Sequence, residues 1–131
     1  METQLFDDRF GVMLYDNARK ILELRWFADT EFMTDDDYMG WLERFAVTAE
    51  QHHVQFIVID TLAFKHHPGA HTGPWREEHI IPRYNRAGVK KFAFLLSSGT
   101  APKTEPGPEG TAQFPTGYFD SREQIERWFM S

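Results

Sequence analysis

Four histidines crowd one stretch of this 131-residue chain, His66, His67, His71 and His79, just downstream of an acid, Asp60. Imidazoles fixed by outer partners are zinc's preferred nitrogen ligands, and a histidine beside a carboxylate is the commonest acid–base pair. The spacing matches no standard metal motif, and the adjacent His66 and His67 point apart in extended backbone. They read as solvated loop histidines, so no metal and no cofactor is assigned. Asp60 can serve as an acid or base, or as an acceptor for the backbone of the loop that follows it. Thr72, before Gly73-Pro74, reads as a cap; a phosphate on it is the alternative. Trp75 sits beside the histidine loop, where it can line a cleft with Tyr84 and Trp26 or simply pack. Arg83, Arg86, Lys90 and Lys91 make a basic patch that completes a helix dipole or receives an acidic partner. No nucleophile elbow, phosphate loop or carboxylate pair at identifiable spacing is present, so no catalytic residue is assigned. The residues expected to meet a ligand or partner are Asp60, Thr61, His66, His67, His71, Trp75 and Tyr84.

The elements that must position them start with residues 54–60, V-Q-F-I-V-I-D. An unbroken apolar run rich in β-branched residues needs cover on both faces, which marks a central strand. Residues 92–96, F-A-F-L-L, read the same way. Between them Gly73-Pro74 opens a helix with proline in its first turn, Pro82 kinks it or divides it in two, and Gly88 ends it. Strand, helix, strand in that succession predicts a parallel pair.

Upstream, residues 10–15 and 21–26 flank the polar turn D-N-A-R-K and read as a hairpin. Leu22, Leu24 and Trp26 alternate with Glu23 and Arg25, predicting one buried and one wet face and a place toward a sheet edge. Thr34 and Asp37 form a capping box, and Tyr38, Trp41, Leu42, Phe45 and Ala49 recur at helical spacing to about His52 or His53. Downstream, residues 97–113 carry three prolines and three glycines, a long irregular loop suited to a lid or a contact surface. A short strand at 117–119 and a helix capped near Ser121, with Ile125, Trp128 and Phe129 facing inward, complete the chain.

One domain, 1–131, accommodates all of this. Twelve phenylalanines and four tryptophans supply a core without metal or disulfide, and there is no cysteine for thiol chemistry. The net charge of −6 disfavours phosphate backbones and hence nucleic acid. The opening residues lack a signal-peptide pattern and no apolar run is long enough to span a bilayer, so a cytoplasmic, soluble protein is expected.

Ile59-Asp60-Thr61, Trp75, Pro82, Gly88-Val89, Phe92-Ala93, Tyr118-Phe119-Asp120-Ser121 and Trp128 are similar to a group of small bacterial STAS-like proteins. The likeness spans roughly 56–130. It implies the SpoIIAA-like α/β fold shared with CRAL-TRIO lipid-binding domains, as a mixed central sheet of about five strands under about three to four helices. The Asp-Ser-Ser-Gly phosphosite of anti-sigma-factor antagonists is absent here, so that switch is not carried over. The implied function is a non-enzymatic module that binds a protein partner or itself, as in a homodimer. The alternatives are a binder of a small apolar ligand or lipid near the 61–75 loop, and a His/Asp or metal-dependent enzyme.

Overall fold

The computed structural model describes residues 2–131. In chain order the elements are β1 (Glu2–Asp7), β2 (Gly11–Asp16), β3 (Ile21–Trp26), a 3-10 turn (Ala28–Phe32), α1 (Asp35–His52), β4 (Phe56–Asp60), α2 (Thr72–His79), α3 (Ile81–Ala87), β5 (Lys91–Leu95), β6 (Gly107–Pro108), β7 (Pro115–Phe119) and α4 (Arg122–Met130). The strands form one mixed sheet in the order β1-β2-β3-β4-β5-β7-β6. β3, β4, β5 and β7 run parallel, while β1–β2, β2–β3 and β6–β7 are antiparallel. The two apolar runs lie side by side at the centre, Ile57 against Phe92 and Ile59 against Phe94.

Side-chain alternation divides the interior in two. Leu22, Leu24, Ile57, Ile59 and Phe92 face the layer made by α1, α2 and α3. Val58, Ala93 and Leu95 face α4, whose Ile125 and Phe129 are buried against them, with Trp128 half-buried beside them. The local signals set the helix ends. Thr34 accepts from the Asp37 amide while Asp37 accepts from that of Thr34. Pro82 falls in the first turn of α3, so the predicted kink is a break at Ile80. Gly88 ends α3 at φ 89°, a left-handed value that glycine adopts without strain.

Two expectations need correction. The sheet has seven strands rather than about five, because the polar stretch Glu2–Asp7 pairs as an exposed edge and the two-residue β6 extends the other side. Neither has a buried face to announce it. Nor does β3 lie toward an edge with a wet face: it is flanked by β2 and β4, and Glu23 is 3% exposed. Burial of that carboxylate is compensated by Arg122, which donates to it in two bonds of 2.9 and 2.8 Å, and by Arg25 at 3.0 Å.

Candidate ligand-binding site

The residues expected to form a site separate on folding. Asp60 ends β4 on the α4 side, where its carboxylate accepts from the Leu62 amide at 3.0 Å and from Arg122 at 2.7 Å. Arg25 stands 3.6 Å away. Charge and geometry are satisfied there by the protein itself. Thr61 donates through both its amide and its hydroxyl to the Leu95 carbonyl, tying the start of the loop to β5.

His66 and His71 converge on Asp35, in the first turn of α1, rather than on Asp60. His66 Nε2 is 2.8 Å and His71 Nε2 3.8 Å from that carboxylate, which also accepts from the Gly69 amide. Gly69's N–H, followed by His66, holds the Asp35 carboxyl below its ordinary range. His66 packs its ring against Tyr38 with 10% of the side chain exposed, whereas His67 is exposed and His71 is 62% exposed. Among the described residues no group of three or more histidines and acids could hold a metal ion.

A cavity of about 90 Å³ lies on the other side of this loop, at the carboxyl end of the parallel strands. This is the general place for ligands in open α/β sheets. Its wall is contributed element by element: Trp26 from β3, Ile59 and Thr61 from β4 and its exit, Phe92 and Phe94 from β5, Tyr38 and Leu42 from α1, Phe64 from the loop, Arg76 from α2 and Tyr84 from α3. The rings touch one another, with Trp26 centred 5.1 Å from Phe64 and 6.0 Å from Tyr38. Tyr84 is 1% exposed.

Thus the cleft expected between Trp26 and Tyr84 exists, but Trp75 does not line it. The helix turns Trp75 into a separate groove with Glu43, His79 and Arg83, and points the next residue, Arg76, into the cavity. Arg76 is the functional candidate missed in the sequence. Its signal was there: 76, 80 and 84 are four apart, placing the arginine on the stripe of buried Ile80 and Tyr84.

The connecting segments are fastened around this cavity. Phe64 is held because the Lys65 amide donates to the Thr30 hydroxyl at 2.9 Å. The 97–113 loop, suited to a lid or a contact surface, is pinned in its second half. Glu77 accepts from the Thr111 amide, Asn85 bonds both the Thr111 carbonyl and the Gln113 amide, and Tyr118 donates to Glu109 at 2.7 Å. Gly110, at φ 57°, brings the backbone so close to Glu77 that a Cβ would fall 2.2 Å from its carboxylate. Tyr118 stacks on Phe94 with rings 7° from parallel, passing that restraint to the cavity wall. Burial and its bond to Glu109 push the Tyr118 hydroxyl up to about 12.

No protein-family model matches this chain, and no curated protein and no solved structure matches it.

Proposed function

We propose that this protein is a small-molecule-binding α/β domain whose ligand occupies the aromatic cavity at the carboxyl edge of the sheet. The observation that carries this reading is convergence: a preformed cavity lined by side chains from three strands, three helices and a fastened loop, where close-packed interiors ordinarily leave no such space. Its volume also limits the occupant. A nucleotide or an acyl lipid needs several times the space, so the lipid form of the ligand reading is set aside. An antiparallel lead-in at β1 to β3, then α1, β4, the α2 and α3 pair, β5, β7 and α4, with β3, β4, β5 and β7 parallel, supports a SpoIIAA-like reading of the fold. Among the described residues no helix is long and apolar enough to cross a membrane.

Titration with a panel of neutral short-chain fragments smaller than benzene, followed by methyl NMR, tests the reading. Shifts should centre on Leu42 and Ile59; shifts scattered over the surface, or none, would reject it.

A second reading, the protein-interaction module, is favoured by Phe32 and Leu62, large apolar side chains 63% and 54% exposed in the segments that leave β3 and β4. If these make a self-contact, native mass spectrometry should find a dimer that Phe32→Ser and Leu62→Ser dissolve. A monomer at all concentrations would remove the self-association form of it.

A further inference from the structure

The cavity is apolar except at one place. Arg76 holds the carbon of its guanidinium over the Phe92 ring, 5.5 Å from the ring centre, a cation–π contact that uses none of its five N–H donors as a hydrogen bond. Among the described residues it has no carboxylate and no hydrogen-bond acceptor. Every other arginine has an acidic partner, except Arg44, which is exposed. The acids nearby in the fold are already engaged: Glu77 by Thr111, Asp35 by His66 and Gly69, Glu109 by Tyr118. A half-buried charge left without a counter-ion is costly, so its presence here needs a reason.

Two tyrosines line the cavity with Arg76. Neither Tyr38 nor Tyr84 hydrogen-bonds to any described residue through its side chain, and neither hydroxyl is a sealed-off polar atom. Burial raises the pKa of both phenols and keeps them protonated, ready to donate. Of the other lining residues that can donate, Thr61 already spends its hydroxyl proton on Leu95, and the Trp26 indole N–H makes no hydrogen bond to a described residue.

We infer that the ligand is a small monocarboxylic acid with an apolar body, its carboxylate received by Arg76 and the hydroxyls of Tyr38 and Tyr84. This rests on the cavity being a binding site. A planar guanidinium edge matches a carboxylate in two parallel bonds. One cation balances one negative charge; a phosphate dianion would bring a second into a chain that already carries −6. At about 90 Å³ the cavity is smaller than the roughly 150 Å³ engineered cavity that takes up benzene, so the whole ligand is smaller than benzene and its apolar body is a very short chain, as in propionate.

The test compares propionate with its neutral counterpart propionamide, titrated into the whole protein, into Arg76→Met, which keeps the apolar stem, and into Tyr84→Phe. Propionate should shift the Leu42 and Ile59 methyls and lose about ten-fold or more in affinity in R76M, the scale of one charge-assisted hydrogen-bonded pair. It should lose several-fold in Y84F, while the amide, whose carbonyl makes only uncharged-acceptor bonds, loses less than the acid in both variants. Ligand-free R76M should melt at the parent's temperature or above it; melting lower would make Arg76 a structural residue and overturn the assignment. If acid and amide bind alike and neither is weakened in R76M, the anion assignment falls and the cavity remains a binding site. If neither shifts the cavity methyls while neutral fragments do, the assignment falls alone; if no probe does, both readings fall. Tighter binding of methyl phosphate than of propionate would overturn the carboxylate class.

Discussion

Arg122, the first residue of α4, grips Glu23 on β3 with both arms of its guanidinium, Nη1 to Oε1 at 2.9 Å and Nη2 to Oε2 at 2.8 Å, across 99 residues of sequence. The same Nη2 reaches Asp60 at 2.7 Å. At the other end of the helix Lys91 donates to the Trp128 carbonyl at 2.6 Å, and Ile125 and Phe129 fill the space between. The single helix on this face of the sheet is therefore held at both ends by charge and in the middle by apolar burial.

Removing the grip should be expensive. In Arg122→Met the Glu23 carboxylate stays buried with Arg25 alone. Breaking a buried pair costs about 3–5 kcal/mol, and because the Arg122 side chain is 46% exposed the expected loss is about 2 kcal/mol. Urea unfolding of the two proteins measures it. A loss under about 0.5 kcal/mol would make the contact an ordinary surface ion pair.

Acid should weaken the fold. Burial alone would raise the pKa of Glu23, but the bonds and charge of Arg122, with those of Arg25, outweigh it and leave the carboxyl below its usual value. At Glu50 the hydrogen bond from Arg83, with that of Arg86 behind it, outweighs burial in the same direction. Asp35 is lowered by Gly69 and His66. For each, the folded value lies below the unfolded one, so in the window between them the unfolded chain binds more protons. Stability is complete above the ordinary carboxylate range and drains as pH falls through that range toward the lower folded values. Urea midpoints taken at steps from pH 7 to pH 3 should decline accordingly, and less steeply in Arg122→Met. A flat profile would contradict the assignment.

Asp35 should order the histidine loop. With Asp35→Ala, the Gly69 amide loses its acceptor and His66 its partner, so residues 66–71 detach from the head of α1. Gly69's amide hydrogen should exchange with solvent about ten-fold faster, or more, while those of β4 are unchanged, since the opening is local. Equal protection in the two proteins would show that Phe64 and Thr30 suffice to hold the loop.

Phe114 should behave as a core residue although it follows a proline-rich loop. It is 1% exposed, and its ring lies 20° from parallel with Phe92 at 6.0 Å. Phe114→Ala should cost about 3 kcal/mol or more, as for other buried phenylalanines. A cost below about 1 kcal/mol would mean that the segment before β7 peels away without disturbing the sheet.

How much of this was legible in advance follows the range of the interactions. The capping box at Thr34 and Asp37, the break at Pro82, the left-handed stop at Gly88 and the two central strands were readable because each depends on neighbours a few residues away or on the period of burial. The place to look for a site, beyond the strand ends, was readable from topology. Its membership was not: Trp75 could line the cleft or simply pack, and the α2 helix turns it away in favour of Arg76.

From its own residues, then, the chain determined the helices and the strands that have a buried face, though not β1 and β6, which have none, and that its centre is two doubly buried parallel strands. Only the tertiary structure decided that Glu23 is buried, that His66 answers to Asp35 instead of Asp60, and that an arginine without a carboxylate faces an aromatic cavity. The physical reason is distance. Periodicity records whether a face is covered, but the charge that neutralises Glu23 lies 99 residues away and the partners of His66 and Asp60 lie 31 and 62 away. Pairings at such separations leave no trace in local spacing, and exist only once the sheet has brought the segments together.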